Sequence, residues 1–176
     1  MTCVSCVRLG ALCSVHGITR TDPVVSDLLA LKPFIFGIFS EFNLERLARW
    51  YDEHPGSYEK EWPTAGQERT HGHVLRRNGD ICGCATLVPR EDTTSTDEGE
   101  VAKLYLAKDL RGIGLGRALL DDLVMHARTE QYLTLFLTTR VEWQDAITLY
   151  TRTGFSVIPN ERYPGAARTV EMRMTL

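Results

Sequence analysis

The segment from Arg111 to Arg117 places three glycines at alternate positions between two arginines: Arg111, Gly112, Ile113, Gly114, Leu115, Gly116 and Arg117. Glycines leave the backbone uncovered by side chains. If a helix begins here, its first N–H groups have no partner within the helix. Together with the positive end of the helix dipole they form an anion site, to which the two arginines add positive charge. The segment therefore predicts a binding site for a pyrophosphate.

Three kinds of phosphate loop compete for this segment. A Walker loop requires Gly-Lys-Ser/Thr at its end, but the chain has Arg117 and Ala118 after Gly116. A dinucleotide loop requires G-x-G-x-x-G/A, and neither Gly112 nor Gly114 begins such a pattern. The remaining pattern is R-x-x-G-x-G, which resembles the coenzyme A pyrophosphate loop of the GNAT superfamily of acetyl-CoA-dependent N-acetyltransferases. A glycine turn before a surface helix is the alternative interpretation.

A second segment strengthens the resemblance. Residues 146–155 follow the pattern A-x-x-L-Y-x-x-x-G-F, which the family carries at a similar distance downstream. The resemblance covers about Cys82 to Val157, with both motifs in the expected order. The chain departs from the family at Trp143, where an Asn often contacts the cofactor.

The resemblance implies acetyl-CoA as the acyl donor, used as a cosubstrate. It implies cofactor contacts from the end of a strand, from the glycine loop and from the following motif. The residues concerned are Leu104, Tyr105, Leu106, Arg111, Gly112, Ile113, Gly114, Leu115, Gly116, Arg117 and Ala146. Backbone N–H groups near Leu106 are candidates to polarise the thioester carbonyl.

Direct acetyl transfer to a primary amine needs an unprotonated amine and a proton for the departing thiolate. Tyr150 resembles the tyrosine of the family that protonates the thiolate, and the alternative is a packed, half-buried tyrosine. Glu100 lies at the head of a strand, eleven residues before Arg111, an offset at which some members place a catalytic glutamate. Its alternatives are a solvated glutamate and a water that accepts the proton instead.

The first sixteen residues contain Cys3, Cys6, Cys13 and His16, which are all zinc-ligand types. The pair spacings suit a tetrahedral site, but six residues between the pairs is short for a zinc finger. The alternative is a small-residue strand over Val4–Leu12 whose thiols pack. The family pattern requires no metal, and we assign no metal ligand to the active site.

The composition indicates a soluble globular protein. The chain has 176 residues, 43% hydrophobic and 24% charged residues, and a net charge of −3. Neither nucleic acid nor a membrane is therefore expected as a partner. Five cysteines without an evident signal peptide favour the cytoplasm. We expect a monomer or a homodimer.

Several elements must position these residues. Val101–Leu106 and Leu133–Thr139 are predicted strands, and Leu115–Ala127 an amphipathic helix between them. Asn78-Gly79 predicts a type I′ hairpin turn between His73–Arg77 and Ile81–Val88, with Cys82 and Cys84 on one side of the strand.

The remaining elements lie towards the two ends of the chain. A helix through Leu28–Leu31 is expected to end near Pro33. Asn43 is the expected cap of a helix carrying Leu44, Leu47, Ala48 and Tyr51. Phenylalanines 34, 36, 39 and 42 are expected in the core, and residues 170–176 form a closing strand.

The sequence thus predicts a single GNAT-like α/β (α+β) domain over residues 1–176, with residues 1–16 as a Cys-rich N-terminal segment. A central mixed, mostly antiparallel sheet is flanked by helices. The predicted function is acetyl transfer from acetyl-CoA to a small-molecule or peptide amine. Alternatives are a catalytically silent acyl-CoA-binding or interaction module, and an acyltransferase that uses another acyl-CoA. The identity of the amine acceptor stays open.

Overall fold

A computed structural model describes residues 4–54, 56, 62–63, 67–91, 93–160 and 168–176, without the side chains of residues 4–6. The helices are α1 (Val4–Val15), α2 (Asp27–Glu41), α3 (Glu45–Glu53), α4 (Leu115–Thr129) and α5 (Gln144–Thr153). The strands are β1 (Thr19–Thr21), β2 (His71–Arg77), β3 (Asp80–Pro89), β4 (Glu98–Leu106), β5 (Thr134–Arg140), β6 (Ser156–Ile158) and β7 (Thr169–Thr175). None of the helices in these ranges is long and apolar enough to cross a membrane.

The strands form one sheet of seven, in the order β1-β2-β3-β4-β5-β7-β6. β4 and β5 are parallel, and the other neighbouring pairs are antiparallel. Helices cover both faces of this sheet, so the predicted fold class is confirmed.

The β2–β3 hairpin forms where Asn-Gly predicts it. Asn78 has a φ of +55° and Gly79 a φ of +90°, as a type I′ turn requires. Cys82 and Cys84 nevertheless lie on opposite faces, so the expectation that they share a face is wrong. The pairing passes from Leu75↔Gly83 to Arg76↔Ile81, which leaves Cys82 as the extra residue of a β-bulge. One extra residue reverses the alternation of the strand.

One face of the sheet packs against α4. The buried leucines Leu115, Leu119 and Leu123 recur at a helical interval and join a core cluster with Leu75, Leu87, Val101 and Leu135. The other face packs against α2 through Leu31, Ile35 and Phe39. The core on each face holds the strands that carry the predicted site residues.

Helix α2 continues through Pro33, so the expected end near this residue is wrong. Pro33 removes the hydrogen bond to the carbonyl of Leu29, and Leu29 is 86% exposed, so water can reach that carbonyl. The buried Leu31, Ile35 and Phe39, spaced at i, i+4 and i+8, outweigh the cost of the proline. Helix α3 follows as expected, although its cap is Leu44 and not Asn43.

The N-terminal segment forms helix α1, so the alternative of a strand over residues 4–12 is wrong. Leu9 and Cys13, four residues apart, are buried in the α4 side of the core. Burial raises the pKa of the Cys13 thiol, which suits a packed, neutral side chain. Cys3 and the side chain of Cys6 lie outside the described residues, and a zinc site that includes them stays a prediction.

Candidate active site

The central feature of the site is an opening between β4 and β5. The two strands pair at Glu98↔Thr134, Gly99↔Leu135 and Glu100↔Phe136. Both strands run on from there, β4 to Leu106 and β5 to Arg140, but no later pair joins them within the described parts of the chain. The second half of β4 therefore presents backbone N–H and C=O groups to a gap that an extended ligand can enter.

A bulge in β4 causes β4 and β5 to separate after Glu100 and Phe136. The pairing with β3 passes from Thr86↔Ala102 to Cys84↔Tyr105, so β4 advances three residues while β3 advances two. Lys103, inside the bulge, has a φ of +48°. An extra residue bends the strand and redirects its remaining backbone groups.

Two side chains of β3 hold the bulge from the side opposite the gap. Thr86 Oγ1 donates to the carbonyl of Ala102 at 3.0 Å, and Cys84 Sγ donates to the carbonyl of Lys103 at 3.0 Å. Burial raises the pKa of Cys84 to about 12, so this thiol stays protonated and remains a donor. Cys84 therefore donates a specific hydrogen bond to the bulge in addition to packing in the core.

The glycine loop lies directly after β4. Gly112 and Gly114 have φ values of +77° and +91°, and Gly114 is the N-cap of α4. The first backbone bond of the helix joins the Ala118 N–H to the Gly114 carbonyl at 3.0 Å. The N–H groups that precede Ala118 in the helix have no partner within it, so the geometry is suited to an anion.

The two arginines of the loop are less available than the sequence suggests. Arg111 forms a bidentate pair with Glu41 at 2.7 and 3.3 Å, and its Nε donates to the Leu106 carbonyl at 2.9 Å. Arg117 Nε donates to Asp121 at 2.7 Å. Each guanidinium is paired with a carboxylate, which partly neutralises the positive charge that these two residues add to the loop. Arg111 also ties the end of β4 to α2.

A third arginine reaches the loop from the N-terminal helix. A methyl group built on Gly114 would lie 3.8 Å from Nη2 of Arg8. The sequence analysis missed Arg8, because its proximity depends on the packing of α1 against α4. An Arg8 guanidinium at the helix start supplies positive charge where Arg111 and Arg117 are paired.

Tyr150 lies on the same face of the sheet as α4. The predicted cofactor residues on this face are Leu104, Leu106, Ile113, Leu115 and Ala146, all in or against the same cluster. Tyr150 is 7% exposed, and its ring meets Phe155 edge-on with centroids 6.1 Å apart. Burial raises the pKa of Tyr150 to about 12, so the phenol is protonated at neutral pH.

Glu100 lies on the opposite face. Its side chain is buried, since the residue is 4% exposed. Gly99 and Val101, which precede and follow it in the strand, both lie against the α4 side of the core. Side chains alternate along a strand, so Glu100 points to the α2 side. The solvated alternative for Glu100 does not fit this burial. The structure therefore separates Glu100 from Tyr150 by the thickness of the sheet.

Aromatic residues line the α2 face near the end of β4. Trp143 stacks on Phe39 with centroids 6.0 Å apart and meets Tyr105 and Phe42 edge-on at 5.9 and 6.1 Å. Its Nε1 is buried and has no hydrogen-bond partner in the described part of the chain. Tyr105 is thus on the face opposite Leu104 and Leu106, and Trp143 belongs to an aromatic wall.

The site thus consists of a sheet that opens between two parallel strands, with a glycine loop and a helix start at the opening. The model of the acetyltransferase (GNAT) family matches residues 35–155, and the chain belongs to that family.

Solved structures share the fold of this chain, and one curated protein resembles part of its sequence. A GNAT-family acetyltransferase from Staphylococcus aureus Mu50 superposes with a TM-score of 0.72 at 19% identity, over 90% of this chain and 99% of that one. An acetyltransferase from Streptococcus agalactiae gives 0.70 at 15% identity, over 91% and 99%. An "IAA acetyltransferase" from Azospirillum brasilense is 32% identical over 83 residues, which is 47% of this chain. The match spans about half the length of that relative, 52%.

Proposed function

We propose that this protein is an N-acetyltransferase that transfers an acetyl group from acetyl-CoA directly to a primary amine. The observation that carries the proposal is the gap between β4 and β5, which leads from the bulge at Lys103 to the glycine loop. A cofactor with an extended arm and a pyrophosphate matches a gap that ends at a helix start.

The chain offers separate groups for each part of acetyl-CoA. Backbone N–H groups from Arg111 to Arg117 would hold the pyrophosphate, with Arg8 as an additional cation. Backbone groups of β4 on the edge that faces the gap, at Leu104, Tyr105 and Leu106, would receive the extended arm and polarise the thioester carbonyl. Ala146 and Leu149 would contact the arm from α5.

The chemistry requires a proton acceptor for the amine and a proton donor for the sulfur. The amine nitrogen attacks the thioester carbon, the C–S bond breaks, and the thiolate takes a proton. Tyr150 is the proposed donor, because its phenol is protonated at neutral pH and lies among the α4-side residues of the cofactor site. Glu100 is the proposed acceptor, acting directly or through a water.

The placement of these two residues on opposite faces is consistent with a thioester lying in the gap. The amine would approach from the α2 face, where Glu100 lies, and the thiolate would leave towards the α4 face, where Tyr150 lies. The aromatic wall of Phe39, Phe42 and Trp143 is on the amine side. Aromatic faces and a carboxylate attract a cationic amine.

A panel of amines tests the proposal by release of free thiol from acetyl-CoA. We expect thiol release that depends on the amine and yields an N-acetyl product of matching mass. Tyr150→Phe should bind acetyl-CoA normally and turn over slowly. Tight binding of acetyl-CoA without turnover on any amine would favour the silent acyl-CoA-binding alternative. Turnover with a different acyl-CoA, but not with acetyl-CoA, would favour the acyltransferase alternative.

A further inference from the structure

Three histidines and one aspartate meet between β2 and α4, away from the glycine loop. His71 and His73 are two residues apart on a strand, and Asp122 and His126 are four residues apart on a helix, so each pair shares a face. The sequence carries both spacings, H-x-H and D-x-x-x-H, but only the packing of α4 on β2 shows that the two pairs meet. Asp122 lies seven residues after the start of α4, about 10 Å along the helix axis.

A ring nitrogen of each of two histidines lies against the same carboxylate oxygen. Oδ2 of Asp122 lies 3.1 Å from Nε2 of His71 and 2.7 Å from Nε2 of His73. One ligand atom from each of these three residues falls within 4.8 Å of the others. Tetrahedral zinc with bonds of about 2.0–2.1 Å separates its ligand atoms by about 3.3 Å. Opening the cluster by a few tenths of an ångström therefore creates room for the ion.

We propose that His71, His73 and Asp122 bind a divalent transition metal ion, for which Zn²⁺ is the best match. Two imidazole nitrogens with one carboxylate oxygen are among the ligand sets that zinc takes at sites with three protein ligands. The fourth position is water. This site is independent of the proposed acetyl transfer, and no residue in it belongs to the catalytic or cofactor sets.

Burial and access both fit a metal site. The Asp122 side chain is 0% exposed and that of His73 is 4% exposed, so a metal charge would compensate a carboxylate removed from water. The side chain of His71 is 20% exposed, which gives the ion a route from solvent. His126 stacks on His71 with ring centroids 3.3 Å apart and planes at 11°, and it holds that ring in position.

The proposed ion would join a strand to a helix. β2 is also held by β1 and β3 through backbone hydrogen bonds, by α4 through apolar packing at Leu75, and by an ion pair between Arg76 and Asp27 of α2. A ligand that binds only the folded chain raises its stability by mass action. The metal therefore has a predicted effect on the melting temperature, apart from any effect on activity.

Metal titration of chelator-stripped, full-length protein tests the proposal. We expect one Zn²⁺ per chain by calorimetry, and a rise in melting temperature on addition of Zn²⁺. Co²⁺ should give the strong visible absorption of a low-coordinate site without a sulfur-to-cobalt charge-transfer band, since all the ligands are nitrogen and oxygen. His71→Gln should weaken Zn²⁺ binding by at least about tenfold, given the partly exposed position of this ligand.

Matched controls separate this site from other binding. His54→Gln changes an exposed histidine after α3 and should leave Zn²⁺ affinity unchanged. Circular dichroism should show that His71→Gln is folded. The proposal is overturned if stripped wild-type protein binds no stoichiometric Zn²⁺, or if His71→Gln and Asp122→Asn bind it as wild type does. A sulfur-to-cobalt band that is lost in Cys3→Ser would assign the ion to the N-terminal cysteines instead and would also overturn it.

Discussion

Replacement of Gly114 by alanine tests whether the conformation of the glycine loop is required. Gly114 has a φ of +91° and serves as the N-cap of α4. An L-residue in this region is strained by about 1–2 kcal/mol, because its Cβ approaches a backbone oxygen. A methyl group here meets Arg8 Nη2 at 3.8 Å, an ordinary contact, so no collision adds to this cost.

The loop has little freedom to relax the strain. The Gly114 carbonyl accepts the first hydrogen bond of α4, and the buried Leu110 and Leu115 hold the two ends of the loop. We therefore expect Gly114→Ala to lower the free energy of unfolding by about 1–2 kcal/mol, or the melting temperature by about 2–8 °C. Any movement of the loop would also turn its N–H groups and weaken acetyl-CoA binding.

Gly116→Ala is the matched control within the same loop. A methyl group on Gly116 would lie 3.5 Å from both Leu106 Cδ1 and Leu149 Cδ2, which is ordinary van der Waals contact inside the protein. Gly116 lies in the first turn of α4, where alanine is favoured over glycine by up to about 1 kcal/mol. This variant should be as stable as wild type or more so, which makes it a control for the stability effect of positive φ at Gly114.

Thermal unfolding and calorimetric titration with acetyl-CoA of both variants give the comparison. Gly114→Val should show a larger loss than Gly114→Ala, because a β-branched residue is least compatible with positive φ. The reasoning is refuted if Gly114→Ala matches wild type in both stability and affinity. It is also refuted if Gly116→Ala lowers the melting temperature more than Gly114→Ala does.

Three further predictions concern proton transfer and pH. Tyr150→Phe should lower kcat by about 10²-fold at every pH from about 6 to about 10, because a pKa of about 12 keeps the wild-type phenol protonated over this range. If kcat is unchanged while the chemical step is rate-limiting, Tyr150 is not the proton donor. Glu100→Gln should reduce turnover most at low pH, where free amine is scarcest, and an unaltered pH–rate profile would exclude Glu100 as the base. Burial acts to raise the pKa of Glu142, but hydrogen bonds from Arg168 and Arg140 outweigh it and hold that pKa below its usual range. The stabilisation is present above the unfolded pKa of a glutamate, about 4.3, and is lost as pH falls below it through the lower folded pKa. Glu142→Gln should therefore flatten the decline of melting temperature in that acidic range.

Local signals in the sequence predicted the elements that depend on few residues. Asn78-Gly79 defines its turn through backbone conformation alone, and the leucines of α4 define its buried face through spacing alone. Motifs mark the glycine loop and the Tyr150 segment, and the helix predicted to follow the loop begins at Leu115. These features could be predicted from the sequence because each depends only on residues that are close together in the chain.

Features that depend on contacts between elements were not predictable in the same way. The bulge at Cys82 places Cys82 and Cys84 on opposite faces of the sheet, and no local pattern in the sequence marks it. Pro33 indicates a helix end, yet burial of Leu31, Ile35 and Phe39 overrides it. Arg111 pairs with Glu41, which lies seventy positions earlier in the chain. No local pattern in the sequence indicates that a carboxylate pairs with this arginine of the loop.

The most direct test of the proposed activity is amine-dependent release of thiol from acetyl-CoA by wild-type protein, measured beside Tyr150→Phe and Gly114→Val. The account predicts turnover by wild type, normal acetyl-CoA binding without efficient turnover by Tyr150→Phe, and weakened binding by Gly114→Val. Wild-type acetyl-CoA affinity in a folded Gly114→Val variant, together with full turnover by Tyr150→Phe, would contradict it.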